Sequence, residues 1–325
     1  YSHIKEVFYN MNENKYYRVY SEYLKKIYHK KVYKLPVNLP ITCPNRLDGR
    51  KGCAFCAEVG TGFEAMNSSI SVREQLEATK EKIQRKYKAE KFIAYFQNYT
   101  NTFMSLNQFE TYMREAASFP DIVELSISTR PDCIRDDYLE LLYKIQLEYD
   151  VRITIELGLQ TANYHTLANI QRGHGLAEYI DSVLRIHRYS FEVCTHLILN
   201  LPGDTMQDVI ETAKIVSVLG SDIVKLHSLY IARNTVLSKA YENGTIQICS
   251  KEEYLERLLT FIAYLDPMIV VERLFSRVPE EEAIFSNWNT SWWKLKDEAL
   301  TKMEERGIYQ GKEFHYCNGP ALSKI

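Results

Sequence analysis

The stretch ITCPNRLDGRKGCAFCAEVGTGFE, residues 41–64, gathers three of the seven cysteines of the chain into one short loop. Cys43, Cys53 and Cys56 follow the spacing C-x9-C-x2-C. Thiolates that lie close in sequence are typical ligands of a soft metal, and three thiolates instead of four indicate an iron–sulfur cluster with one iron open to a further ligand. Four glycines in the stretch let the backbone turn tightly. The loop is therefore predicted to wrap a metal cluster.

Two other interpretations of this loop stay open. One is a zinc site that lacks its fourth ligand, although structural zinc sites close with four ligands and the loop contains no histidine and no second C-x2-C pair. The other is a disulfide with a spare thiol, although the remaining cysteines are scattered singly and form no disulfide framework. These four are predicted to be small core residues or unpaired thiols: Cys133, Cys194, Cys249 and Cys317.

The loop, with two motifs inside it, and four motifs after it resemble the radical S-adenosylmethionine (SAM) superfamily, in which an aromatic residue commonly precedes the last cysteine. Phe55 occupies that position. The spacing of nine is similar to the branch related to the elongator catalytic subunit and, within it, to small bacterial proteins of the YhcC/YtqA type. The motifs are TCPNR (42–46), GTGFE (60–64), STRPDCI (128–134), ELGLQTA (156–162), RGH (172–174) and HLILNLPGDT (196–205).

The resemblance implies a [4Fe–4S] cluster held by the three loop cysteines, with SAM chelating the open iron. It assigns Arg172 to the SAM carboxylate, which suits the planar fork of an arginine, and Gln160 to the ribose or the carboxylate. It also implies that Phe55 packs near the adenine. The residues expected to contact SAM are Phe55, Gln97, Thr100, Ser128, Gln160, Arg172, His196 and Leu199.

The assignments of Gln97, Thr100, His196 and Leu199 rest on the resemblance of two whole segments. Residues 97–101 occupy the place of the superfamily's glycine-rich clamp for the SAM amino group, but they contain no Gly-Gly-Glu and offer side-chain amides and a hydroxyl instead. Residues 196–200 are similar to the strand whose backbone binds the adenine. The resemblance assigns no residue to the reaction with the substrate.

Strand-like and helix-like segments alternate along the chain, which predicts an α/β fold. Together with the resemblance, the alternation predicts a partial (β/α)6 TIM-like barrel of the radical SAM type with a C-terminal α/β extension. Strands are expected near 32–38, 91–97, 122–128, 151–158, 193–200, 222–229 and 270–274. Helices are expected near 14–30, 71–89, 106–118, 136–149, 176–189, 205–219, 251–265 and 291–306. The predicted domains are an N-terminal helical segment (1–31), the barrel (32–265) and the extension (266–325).

Charge and hydropathy limit the possible partners. Forty basic and 42 acidic side chains give a net charge of −2, so any attraction to nucleic acid must be local. The best local candidate contains Tyr28 and Tyr33 among five lysines, and its alternative interpretation is a solvated helix face. The lysines are Lys25, Lys26, Lys30, Lys31 and Lys34, and a second basic segment contains Arg85, Lys86, Lys88 and Lys91. No apolar run has the length of a membrane span, and the start of the chain lacks a signal-peptide core, so no membrane and a cytoplasmic location are expected.

The predicted function is that of a radical SAM enzyme. Reductive cleavage of SAM at the cluster would give a 5′-deoxyadenosyl radical that abstracts hydrogen from a substrate, with the electron supplied by a flavodoxin- or ferredoxin-type reductant. Resemblance to the elongator branch favours modification of a tRNA wobble uridine. The alternatives are a radical SAM reaction on a small molecule, such as an oxidative decarboxylation, and a non-catalytic RNA-binding module stabilised by zinc.

Overall fold

The computed structural model describes residues 14–57 and 65–324. The GTGFE motif and the beginning of the predicted N-terminal segment, residues 1–13, lie outside the described residues. The chain divides into two compact units. The first comprises Leu24–Leu159 and Gln171–Cys194; the second comprises Gln160–Ile170, Thr195–Ile325 and the residues before Leu24. All three loop cysteines belong to the first unit.

Helices and strands follow one another in the predicted alternation. The helices are α1 (Tyr20–Tyr28), α2 (Val72–Tyr87), α3 (Leu106–Ala117), α4 (Asp136–Tyr149), α5 (Tyr164–Asn169), α6 (Leu176–His187), α7 (Met206–Val218), α8 (Val236–Glu242), α9 (Lys251–Tyr264) and α10 (Trp292–Arg306). The strands are β1 (Val32–Val37), β2 (Lys91–Phe96), β3 (Ile122–Thr129), β4 (Arg152–Gln160), β5 (Glu192–Ile198), β6 (Ile223–His227), β7 (Ile231–Ala232), β8 (Val270–Arg273) and β9 (Ala283–Phe285).

Strand order follows chain order within each unit. In the first unit the strands are hydrogen bonded in the order β1-β2-β3-β4, and in the second in the order β5-β6-β8. The seventh predicted strand is β8, which pairs in parallel with β6. Strands β7 and β9 form a separate antiparallel pair, which the sequence did not predict. A parallel sheet ordered in this way is the arrangement of a β/α barrel.

The carboxyl ends of the first four strands meet at one edge of the sheet. The strands are parallel, and their register places Val37 opposite Phe96, Phe96 opposite Ile127 and Ile127 opposite Ile155. The cysteine loop follows β1, and polar segments follow β2 and β3 at the same edge. Motifs that are distant in sequence therefore come together there, as expected for the reactive end of a β/α barrel.

Local signals account for most helix boundaries. Capping boxes begin α2, with Ser71 and Glu74, and α7, with Thr205 and Asp208, and both pairs have a spacing of three residues that the sequence shows directly. Helix α1 is shorter than predicted and starts at Tyr20. The short helices α5 and α8 were not predicted, because their hydrophobic patterns are too brief to identify.

Among the described residues, no helix combines the length and the apolar character that crossing a membrane requires. The predicted limits of the three domains stay a prediction, since the two compact units divide the chain at other positions.

Candidate metal centre

The three loop cysteines lie between β1 and α2. Cys53 is buried, and Cys43 and Cys56 are half-buried. The backbone N–H of Cys56 donates to the carbonyl oxygen of Cys53 at 3.0 Å. Burial raises the pKa of the Cys56 thiol, a hydrogen bond from Arg46 lowers it, and negative charge on Cys53 and Cys43 raises it further. The pKa of the Cys56 thiol therefore depends on the charge of the other two thiols.

Each loop cysteine accepts a hydrogen bond from a different arginine. The contacts are Arg130 Nη1 to Cys43 Sγ at 3.8 Å, Arg172 Nη1 to Cys53 Sγ at 3.4 Å and Arg46 Nη2 to Cys56 Sγ at 3.5 Å. Cys53 also accepts from the side-chain amide of Asn45 at 3.3 Å. Three cations thus surround the three thiols, and donors of this kind stabilise sulfur in its anionic, metal-binding form.

The RGH motif is tied to the cysteine loop through Asn45. The Asn45 amide donates to the carbonyl oxygens of Gln171 at 2.8 Å and Arg172 at 2.9 Å. Gly173 has a φ of +77°, and a Cβ atom there would lie 2.5 Å from Asn45 Oδ1 and 2.9 Å from Arg130 Nη2. Another residue here would be strained by the positive φ and would displace Asn45 or Arg130, so glycine lets the motif lie against the loop.

Second partners fix the orientation of Arg130 and Arg172. Arg130 forms a two-pronged ion pair with Asp132, at 2.8 and 2.6 Å. Arg172 donates from Nε and Nη2 to the carbonyl oxygen of Gly158, at 3.1 and 2.7 Å. The neighbouring His174 has its pKa lowered to about 4 by burial and by the positive charge of Arg172. His174 is therefore neutral at physiological pH.

Comparison with known proteins identifies the family. The model of the radical SAM superfamily matches residues 39–216, more than half of the chain, and that of the radical SAM C-terminal domain matches residues 221–305. The chain belongs to the radical SAM superfamily.

Relatives and a solved structure agree with this result. YtqA of Bacillus subtilis (strain 168) is 32% identical over 306 residues, covering 93% of this chain and 94% of that protein. YhcC of Escherichia coli (strain K12) is 32% identical over 287 residues, covering 88% and 91%. The structure of Methanocaldococcus infernus Elp3 with an N-terminal deletion has a TM-score of 0.65 at 16% identity, covering 86% of this chain and 64% of that one. The predicted family and the partial TIM-like barrel are confirmed.

The loop of this radical SAM protein fits the [4Fe–4S] cluster of its superfamily. Three thiols with charged N–H donors match a cluster that has three protein ligands and an exchangeable fourth position. Cys43, Cys53 and Cys56 would hold this group, which would supply the one electron for the reductive cleavage of SAM that is the chemistry of the superfamily. The predicted cofactors and the enzyme class are confirmed, and the non-catalytic zinc module is disfavoured. The assignment of individual cluster and SAM contacts stays a prediction.

Predicted SAM contacts in the first unit lie beside buried polar atoms. The Asn101 amide donates to the carbonyl oxygens of Phe96, Asn98 and Ser128, which fixes the segment after β2 against the end of β3. Several buried atoms in these segments have no hydrogen-bond partner among the described residues: Asn98 Oδ1, Thr100 Oγ1, Asn101 Oδ1 and Ser128 Oγ. All four can accept hydrogen bonds, which suits the ammonium group of SAM. Asn98 and Asn101 were predicted as part of the segment and not individually.

The other predicted contacts are distributed between the units. Phe55 is buried in the cysteine loop of the first unit. Gln160, His196 and Leu199 belong to the second unit, where the backbone N–H of Leu199 donates to the carbonyl oxygen of His227 at 3.2 Å. His196 Nδ1 lies 3.3 Å from His227 Nε2. His227 is the last residue of β6, and its pairing with His196 could not be predicted from the sequence.

Proposed function

We propose that this radical SAM enzyme modifies a tRNA, at the side chain of a wobble uridine. The observation that supports a nucleic-acid substrate is a basic and aromatic surface on the first unit, called here the lysine–tyrosine surface. It consists of Lys25, Lys26, Lys30, Lys31, Tyr33, Lys86, Tyr87 and Lys88, and all six lysines are exposed.

Two separate basic segments meet in this surface. Tyr33 at the start of β1 stacks on Tyr87 at the end of α2, with ring centroids 4.8 Å apart and an angle of 15° between the planes. The carbonyl oxygen of Lys31 accepts from the backbone N–H groups of Glu90 at 3.0 Å and Lys91 at 3.3 Å. The segments that were predicted as alternative RNA-binding stretches therefore act together in this proposal.

Its cations and rings suit a single-stranded or looped RNA. Lys31 Nζ lies 5.7 Å from the centroid of the Tyr33 ring, and Lys86 Nζ lies 5.1 Å from that of Tyr87. Lysines bind phosphates through charge, and aromatic rings stack on exposed bases. Glu90 neutralises part of the charge through its 2.7 Å ion pair with Lys30.

Lys34 is excluded from the surface. Its Nζ lies 2.7 Å from Glu156 Oε1, and its side chain is only 16% exposed. The prediction that five neighbouring lysines share one surface was therefore wrong for Lys34, because its position inside β1 directs it to a buried carboxylate. The other four lysines of the predicted stretch are exposed.

The surface and the cysteine loop lie at opposite ends of β1. Lys31 precedes the strand, whereas Cys43 follows it. A tRNA is much longer than a six-residue strand, which spans about 20 Å. Binding of the tRNA body and hydrogen abstraction at one nucleoside can therefore be separated by substitution.

The test is tRNA binding as a function of salt concentration. Each lost phosphate contact should reduce the slope of log affinity against log salt by roughly 0.7–0.9. The triple substitution Lys25→Gln, Lys31→Gln, Lys86→Gln should therefore flatten the slope by about two units and weaken binding, with SAM cleavage by the reduced enzyme unchanged. The control is the same substitution at three exposed lysines elsewhere: Lys144, Lys239 and Lys294.

Two results would contradict the proposal. Equal affinity and salt slope in the triple variant and its control would remove the lysine–tyrosine surface as a tRNA site. Unchanged tRNA nucleosides in a deletion strain, measured by mass spectrometry, would remove tRNA as the substrate. A small metabolite that accumulates in the same strain would instead identify a small-molecule reaction.

A further inference from the structure

The three arginines that contact the cysteine sulfurs form a set with one member for each thiol. We infer that Arg46, Arg130 and Arg172 set the reduction potential of the [4Fe–4S] cluster by donating N–H groups to its cysteine ligands. Their role is to position charge beside the cluster, and they do not act on the substrate. The inference is independent of tRNA as the substrate.

One-electron reduction makes the cluster and its sulfur ligands more negative. A cationic donor at sulfur therefore stabilises the reduced state more than the oxidised state and raises the reduction potential. Burial strengthens the effect, because solvent and salt screen buried charges much less than exposed ones. Arg130 is 3% exposed and Arg172 is 8% exposed. The electron itself comes from the external one-electron reductant.

The second partners of the arginines predict a rank order of effects. Arg172 is held by the neutral carbonyl oxygen of Gly158, so its charge acts undiminished on Cys53. Arg130 pairs with the Asp132 carboxylate, which offsets much of its charge, and its contact with sulfur is the longest of the three, at 3.8 Å. Substitution of Arg172 should therefore change the potential more than substitution of Arg130.

Substitution of Arg46 should have an intermediate effect on the reduction potential. Arg46 is half-buried, and its other partners are the carbonyl oxygen of Ala57 and the ring of Tyr99, whose centroid lies 5.3 Å from the guanidinium carbon. Neither partner carries a negative charge that would offset the guanidinium. Greater exposure to solvent should nevertheless weaken its effect relative to Arg172.

The geometry of Arg172 departs from the role that the resemblance implies. The superfamily position answers the SAM carboxylate, yet Nε and Nη2 face Gly158 and Nη1 faces Cys53. Both roles predict weaker enzyme activity after substitution, so activity cannot distinguish them. The potential of the cluster without SAM can, because a carboxylate-binding role leaves it unchanged.

The experiment is redox titration of the anaerobically reconstituted protein without SAM, followed by electron paramagnetic resonance. Separate substitutions by methionine at Arg46, Arg130 and Arg172 remove the N–H donors and retain an unbranched side chain. For Arg172→Met we expect the equilibrium constant for one-electron reduction to fall about tenfold, equivalent to a potential about 59 mV lower. Arg46→Met and Arg130→Met should give smaller shifts in the same direction.

Arg50 provides the matched control within the same loop. It is exposed, and it contacts Asp48 at 3.6 Å and the carbonyl oxygen of Leu47 but no cysteine. Arg50→Met should leave the potential unchanged. If all three variants bind full iron and titrate with the potential of Arg50→Met, the inference is overturned.

If substitution of the buried Arg130 or Arg172 causes loss of the cluster, the inference can still be tested. Arg46 is less buried, so Arg46→Met is expected to retain iron, and the lysine substitutions Arg130→Lys and Arg172→Lys keep the charge at the other two sites. A potential of Arg46→Met that is lower than that of Arg50→Met supports the inference, and the two lysine variants should stay close to Arg50→Met because their charge remains. Weakened SAM binding with an unchanged potential in Arg46→Met would assign the arginines to SAM instead and overturn it.

Discussion

The cysteine loop and the lysine–tyrosine surface both carry positive charge in the first unit, but they hold it in different ways. The cations of the loop are buried or half-buried arginines, and each donates to sulfur and to a second fixed partner. The cations of the surface are exposed lysines, of which Lys31 and Lys86 lie over aromatic rings and Lys30 pairs with an exposed glutamate. A buried charge must have defined partners, whereas an exposed one is solvated. The function of the cysteine loop is therefore inferred from its defined contacts, and that of the lysine–tyrosine surface from its net charge.

Lys30 and Lys34, four residues apart in sequence, show the same difference between an exposed and a buried charge. Both approach a glutamate to 2.7 Å, but the Lys30 and Glu90 side chains are 51% and 53% exposed, against 16% and 0% for Lys34 and Glu156. Glu156 also accepts from Ser126 Oγ at 2.6 Å. Equal distances thus accompany different energetic roles, because the surrounding medium decides what an ion pair contributes.

The largest effect is expected from the loop cysteines. Alanine at Cys43, Cys53 or Cys56 removes one of the three predicted protein ligands, so anaerobically reconstituted protein should lose most of its iron and sulfide, measured by chemical analysis. Alanine at Cys249 or Cys317 is the control and should leave the iron content unchanged. Full iron content in Cys53→Ala would show that the loop does not hold the cluster.

The next effect compares the two ion pairs. Lys34→Met takes a cation from a fully buried carboxylate and should lower the free energy of unfolding by about 3–5 kcal/mol. Lys30→Met acts on an exposed pair and should cost about 0–1 kcal/mol. Urea titration of the apo-protein under anaerobic, reducing conditions measures both. If both variants lose a similar amount of unfolding free energy, the proposed difference between buried and exposed ion pairs is wrong.

The sequence predicted the elements that depend on local patterns. The cysteine spacing, the alternation of strands and helices and two capping boxes are all readable within short windows. The same is true of the arginines themselves, since TCPNR, STRPDCI and RGH contain Arg46, Arg130 and Arg172. The pairing of each arginine with one cysteine cannot be recognised in any short stretch of sequence. It depends on the register of parallel strands that are far apart in sequence.

The error at Lys34 has an identifiable physical cause. A lysine that is close to other lysines in sequence is readily assigned to a basic surface, but successive residues of a strand point to opposite faces. Lys34 lies in the middle of β1, where the side chain faces the neighbouring Tyr95 ring, with Nζ 4.6 Å from the centroid. Lys25, Lys26, Lys30 and Lys31 precede that strand and stay exposed. The strand boundary near residue 32 was the available signal.

The last predicted effect concerns Glu124, a second buried carboxylate of the first unit. It accepts from Tyr28 OH and Thr154 Oγ1, each at 2.8 Å, and burial, followed by the nearby Glu192, raises its pKa from 4.5 to about 7. Because the folded pKa is higher than the unfolded one, the folded state binds more protons between these values. The free energy of unfolding should therefore fall as pH rises through this window, by up to about 3 kcal/mol.

Glu124→Gln isolates this contribution, since a neutral amide replaces the carboxyl group at every pH. The variant should gain stability relative to the unsubstituted protein by about 3 kcal/mol between pH 5 and pH 8.5, measured by urea titration of both apo-proteins. Infrared difference spectra should show a protonated carboxyl band that disappears as pH rises through about 7 and is absent from the variant. Parallel stability curves would mean that Glu124 ionises as an exposed glutamate does, and the contrast between buried and exposed charge would then fail at this residue.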